Sequence, residues 1–164
     1  MRLVQVERAA GVARVVLCRP GMHNALVPEL LDHLLEELAQ LGTDPACRAV
    51  LLAAEGPAFS IGGDMHRFQR ERAALQEYSA GLVGRLNQAI LALIDLPQPV
   101  VAAVHGLVSG GSIGLVAVVA LLPFIPGSGF GKVMLGILMV VFGFFFVTVS
   151  SRIVGIIGSS SNPI

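Results

Sequence analysis

Residues 103–119 read AVHGLVSGGSIGLVAVV, and at their centre Gly110 to Gly114 spell GGSIG. Three chemistries share those five letters. As G-x-S-x-G they form a nucleophile elbow with Ser112 as the attacking group. As G-x-x-x-G in an apolar run they form a face on which membrane helices pack. As a glycine pair between a strand and a helix they turn backbone N–H groups toward an anion.

The elbow needs an acid and a histidine that follow the serine in the chain. After Ser112 there is no His, Asp or Glu; His105 precedes it, and only a triad in another order would use it. The membrane reading needs length. From Ile113 the apolar run ends at Leu122, before Pro123, well short of the roughly 17–25 residues that span a bilayer. The anion reading gains from a second loop. AFSIGGDM at 58–65 repeats the design: the apolar run CRAVLLAA at 47–54, a glycine-rich turn, then a helix start with Asp64 placed as N-cap. Two such turns can aim N–H groups at one carbonyl oxygen, which makes an oxyanion hole, and a helix N-terminus adds a favourable dipole. Glycine leaves room for the close approach. The plain alternative is two tight turns and nothing more.

Working outward, LVQVER (3–8) alternates and predicts a half-buried strand, and VARVVLCR (12–19) a second, joined by a hairpin-like AAG. RPGMHN (19–24) is loop by its Pro, Gly and Asn. Residues 28–41 carry Leu at 30, 31, 34, 35, 38 and 41, an amphipathic helix with Pro28 in its first turn and Gly42 at its end. Residues 72–96 predict a helix that Gly81 and Gly84 weaken, PQP breaks it, and 100–104 is a buried strand. A helix from about Gly111 to Leu122 follows. The order β-β-α-β-α-β-α predicts an α/β fold with crossovers between strands.

With 164 residues, one domain is expected. Eleven basic and eleven acidic side chains leave zero formal charge, which gives no support to a nucleic-acid partner. Cys18 and Cys47 lack metal or redox spacing, and residues 1–11 lack the apolar core of a secretory signal. The average hides a break. All eleven carboxylates lie at or before Asp95, and beyond it only Lys132 and Arg152 are charged. Residues 133–149 are seventeen in a row with Thr148 as the one polar side chain, a candidate membrane helix at the short end of the range. GSGFGK (127–132) falls short of a P-loop in glycine spacing, and Val133 stands where Ser or Thr must hold magnesium.

RPGMHNAL, AFSIGGDM and PVVAAVHGLVSGGSIGL, in that order and spacing, resemble the crotonase family, also called enoyl-CoA hydratase/isomerase. The resemblance runs from Val4 to Val116. It implies a fold of ββα units in a spiral, here truncated and followed by an apolar helical tail. It implies an acyl-CoA thioester as substrate, with coenzyme A as part of the substrate, no other cofactor, and no metal. Carried over by position, the oxyanion donors are the N–H groups of Ile61 and Gly111. Ala25, Leu26 and the loop Ile61, Gly62, Gly63 and Asp64 line the CoA path, with Asp64 also capping the next helix. A thioester enolate gathers charge on its oxygen, which is where fixed donors act.

The sequence also departs from the family. A hydratase keeps a glutamate three residues after the second oxyanion glycine, and here that residue is Gly114. The family's second acid has no counterpart, and the later helices that support its trimer are not matched. Two readings of the chain follow. In one, residues 1–122 are an acyl-CoA-binding hydratase/isomerase-like lyase or isomerase, cytoplasmic. In the other, a non-catalytic crotonase fragment is joined to an unrelated apolar tail (123–164) by truncation, frameshift or fusion, and is membrane-associated through 133–149. Secondary candidates are His66, Arg67 and Arg70 for CoA phosphates or a substitute base, and Tyr78 for substrate contact. His23 and His33 lack ligand spacing. For each of these, an ordinary surface or helix position is the competing reading.

Overall fold

Ala10 and Gly11 adopt left-handed backbone angles, with φ of 50° and 80°. Two such residues in succession make the tight turn whose twist matches an antiparallel hairpin. It joins β1 (Val4–Ala9) to β2 (Val12–Leu17), with Ala9 opposite Val12. The computed structural model describes residues 2–121, and the candidate membrane segment 133–149 lies outside them. Among the described residues no helix is long and apolar enough to cross a membrane.

β2 pairs in parallel with β3 (Ala49–Ala54), and β3 in parallel with β4 (Val100–Ala102), giving the sheet order β1-β2-β3-β4. Parallel neighbours require crossovers, and helices supply them. The first is α1 (Pro28–Thr43), whose Leu30, Leu31, Leu34, Leu38 and Leu41 are fully buried at helical spacing. The helix runs to Thr43, one residue past the predicted end at Gly42. Gly42 lies inside the helix, and Asp44 closes it in extended conformation with its N–H on the Leu41 carbonyl. The second crossover is α2 (Met65–Arg70), a single 3₁₀ turn at Arg72–Ala74, and the long α3 (Leu75–Asp95). Gly81 and Gly84 lie within α3 without breaking it. α4 (Ser112–Leu121) follows β4. α1 packs on β1 and β2, α4 packs on β4, and α3 lies against both helices. One core of Leu, Val and Phe59 fills the space between.

Residues 19–24 form a 3₁₀ turn (Pro20–Met22) that ends in two left-handed residues, His23 and Asn24. Asn tolerates that conformation better than most side chains. Asn24 is wholly buried, and its amide is nearly saturated. Its Oδ1 accepts from the Arg19 N–H at 2.8 Å, while Nδ2 donates to the carbonyls of Glu55 at 2.8 Å and Ala58 at 2.9 Å. One side chain therefore ties the loop after β2 to the loop after β3. Replacing it leaves the buried Ala58 carbonyl and the part-buried Arg19 N–H and Glu55 carbonyl without this partner, each at a cost. Asn24→Ala is expected to lower stability by about 3 kcal/mol, read as a lower urea midpoint with unchanged m-value. A change under about 1 kcal/mol would show that these groups find other partners.

Candidate functional site

Because β3 and β4 run parallel, the loops that leave them emerge from the same edge of the sheet. They stay together. The Phe59 N–H donates to the His105 carbonyl at 3.1 Å, Ser60 N–H to Leu107 at 3.3 Å, and Ser109 N–H to the Ser60 carbonyl at 3.1 Å. Ser60 and Val108 form an isolated parallel bridge. Gly62 is where the two backbones touch. Its φ is +81°, and a Cβ there would lie 2.7 Å from the Ser109 carbonyl oxygen and 3.1 Å from the Gly110 Cα. No other residue type satisfies both demands.

The loop after β2 joins them as a third member. Leu26 N–H donates to the Gly62 carbonyl at 2.7 Å, and Asp64 N–H to the Leu26 carbonyl at 3.2 Å. The side chains of Ala25 and Leu26 are buried, their N–H groups donate to the Met22 and Gly62 carbonyls, and their own carbonyls accept from Arg19 and Asp64. Ile61 is half-buried and Gly111 exposed. Among the described residues no carbonyl accepts from the Gly111 N–H, whereas the Ile61 N–H donates to the His23 carbonyl at 3.2 Å. That bond is at the long end of the normal range. A ligand oxygen at Ile61 must share or displace it.

Asp64 caps α2 as the sequence predicts, with Oδ1 accepting from the Arg67 N–H at 3.1 Å. Its other oxygen accepts from the Arg19 guanidinium at 2.6 Å. Burial pushes the Asp64 carboxyl up, but the bond from Arg19, the N–H groups of Arg67 and His66, and the Arg19 charge outweigh it and hold it below the usual aspartate range. Arg19, Met22, Asp64, His66, Arg67 and Arg70 surround one surface concavity. Arg67 is engaged by Glu29 at 3.1 Å and Glu71 at 3.3 Å. His66 and Arg70 are exposed, and Arg70 makes no ion pair among the described residues. Tyr78 packs edge-on against Phe68, ring centroids 5.2 Å apart. Its buried hydroxyl has no partner among the described residues, and burial pushes its pKa up.

The elbow reading of Ser112 does not survive. Ser112 is fully buried, and its hydroxyl donates to the carbonyls of Ser60 and Ser109. The His105 ring is exposed and bonds the Gly56 carbonyl at 2.8 Å. Among the described residues no group of three His, Cys, Asp or Glu is arranged to hold a metal ion.

The sequence profile described as enoyl-CoA hydratase/isomerase matches residues 7–122. The chain belongs to the enoyl-CoA hydratase/isomerase family. A family protein from Thermus thermophilus is 39% identical over 115 residues, covering 69% of this chain and 44% of its own. The 4-chlorobenzoyl coenzyme A dehalogenase-2 of an Arthrobacter species is 31% identical over 113 residues, covering 68% and 41%. The fold matches a solved Pseudomonas aeruginosa protein with a TM-score of 0.67 at 32% identity, over 72% of this chain and 50% of that one. The chain thus spans less than half the length of the curated relatives it matches.

Gly114 faces α3: a Cβ there would lie 3.2 Å from Ile90 Cδ1. Sequence reasoning missed Asn24 as the organiser of the family's first motif. The signal was present, since an Asn next to a turn is a common holder of backbone groups. The Asp64 carboxyl gives a pH prediction. Its folded pKa lies below its unfolded value of about 3.9, so its contribution is complete above that value and is lost as pH falls through the folded one. Below about pH 4, Asp64→Asn is expected to lose less stability per pH unit than the parent chain, measured as urea midpoints. Parallel slopes would show that the Arg19 pair is not coupled to folding.

Proposed function

We propose that residues 1–122 bind an acyl-CoA thioester and hold its carbonyl oxygen between the N–H groups of Ile61 and Gly111, stabilising the enolate. Residues 123–164 are then an apolar tail outside this binding part. The observation that carries the reading is the side-by-side pairing of the two glycine loops, with the Gly111 N–H unclaimed among the described residues. Charge moves onto the thioester oxygen as the neighbouring carbon loses its proton. Donors already in place act on that charge without rearrangement, which is where electrostatic catalysis gains most. Gly62 and Gly63 let this loop fold close against the Ser109 carbonyl and the Phe68 ring beside the pantetheine path, and Ala25 and Leu26 offer their carbonyl oxygens along it. Asp64 fixes the loop rather than touching charge, since Arg19 already occupies it. His66 and Arg70 are the side chains placed to meet phosphates. Coenzyme A is part of the substrate, so no separate cofactor enters.

A second reading is binding without turnover. Abstraction of a proton beside a carbonyl needs a positioned base. The sequence has no carboxylate after Asp95, and Gly114 stands where the hydratase glutamate would be. The two readings share the site and differ in the base.

Calorimetric titration of the intact chain with acetyl-CoA tests the shared part, and a folded sample that gives no binding overturns it. Gly62→Ala is expected to weaken binding at least about tenfold, because its methyl must push the Ser109 carbonyl away and take the oxyanion glycines with it. Incubation with crotonyl-CoA then separates the readings: hydration supports the enzyme, and binding without hydration supports the second.

A further inference from the structure

We propose that Ser112 is a positioning residue whose buried hydroxyl sets the spacing and orientation of the two N–H groups that receive the thioester oxygen. The inference rests on the proposed function for its consequence, but its geometry stands apart from any ligand. The Ser112 hydroxyl is 2.9 Å from the Ser60 carbonyl oxygen and 2.5 Å from that of Ser109. Ser60 belongs to the first loop and Ser109 to the second. One hydroxyl proton is shared between them, so a single side chain on the first residue of α4 staples both loops to the start of that helix.

The identity of the carbonyls gives the staple its function. The Ser60 carbonyl and the Ile61 N–H are two ends of one rigid peptide plane. Whatever fixes the oxygen fixes the direction of the N–H. The Ser60 oxygen takes two donors, the Ser112 hydroxyl and the Ser109 N–H, so both its lone pairs are used. A peptide whose oxygen accepts hydrogen bonds becomes a stronger donor at its nitrogen, because bonds in a chain polarise one another. Gly111 lies between the two ends of the same staple, the Ser109 carbonyl and Ser112, so its N–H is held from both sides. The Ser109 hydroxyl acts one peptide further on: it donates to the Ile61 carbonyl at 2.8 Å, which orients the Gly62 N–H instead. Two serines thus hold two successive peptide planes, and only one of them carries the Ile61 donor.

That division makes the test. In ¹⁵N-labelled full-length chain without ligand, the amide nitrogen of a residue responds to hydrogen bonding at the carbonyl before it. Ser112→Ala is expected to move the Ile61 nitrogen upfield, with Ser112→Cys, a weaker donor of similar size, in between. Ser109→Ala is expected to move Gly62 and leave Ile61 in place. With acetyl-CoA carrying ¹³C at the thioester carbonyl, binding should shift that carbon downfield in the parent chain. The shift should shrink in Ser112→Ala and Ser112→Cys, with affinity about tenfold weaker for Ala. A role confined to general stability would leave the bound carbonyl shift at its parent value. An Ile61 nitrogen that stays put in both Ser112 variants, or moves as much in Ser109→Ala, overturns the proposal. If Ser112→Ala does not fold, Ser112→Cys decides. A parent chain that binds no acetyl-CoA defeats the proposed function, and the ligand-free amide comparison still decides the role of Ser112.

Discussion

The Ser60 carbonyl is the point on which the candidate site depends. It receives the Ser109 N–H and the Ser112 hydroxyl, and so joins the strand exit of β3, the strand exit of β4 and the first turn of α4. Parallel pairing of β3 and β4 is what makes this junction available, because it delivers both loops to the same sheet edge. An antiparallel pair would have sent them to opposite ends. Once the loops share an edge, their backbone polar groups must be satisfied locally, and they satisfy one another.

That closeness propagates outward. With two backbones in contact at Gly62, a side chain there is excluded, and the turn it leaves is narrow enough for a third segment, Asn24 to Leu26, to bond along its other side. Asn24 holds that third segment from within, and the Arg19 pair with Asp64 closes it from without. The neutral bonds in this network are worth about 1 kcal/mol each in net stability and the charged Arg19–Asp64 bond somewhat more, but leaving any one group unpaired costs more than its bond contributes. The network is therefore stiffer than its summed gain suggests.

The elements legible in the sequence are those set by neighbours along the chain. The hairpin follows from Ala10 and Gly11, α1 from its leucine spacing and Pro28, and the α2 cap from Asp64 three residues before the N–H it binds. The family was legible through three motifs read together. What the sequence hid depends on partners far away in it. Nothing around Ser112 says that its hydroxyl meets a carbonyl 52 residues earlier, and its G-x-S-x-G setting argues for another chemistry. Gly42 sits one residue inside the end of α1 rather than beyond it, with Asp44 as the closing residue. The Ile61 N–H reads as free from its motif, yet the left-handed His23 turns a carbonyl onto it.

The same distances bear on the absent acid. Position 114 lies on α4 a turn beyond Gly111, and its Cβ direction meets Ile90 of α3. A longer side chain there would have to bend away from α3 to reach the loops. Glycine removes that steric demand, so α4 can sit against α3 while its first turn stays stapled to Ser60. Under the proposed function, the electrostatic half of the chemistry then needs nothing from position 114, because it is built from backbone and from Ser112. Proton transfer is a separate requirement that this backbone cannot meet. In such a mechanism an oxyanion site and a base are separable parts. Binding can therefore persist in a chain whose sequence places no carboxylate after Asp95.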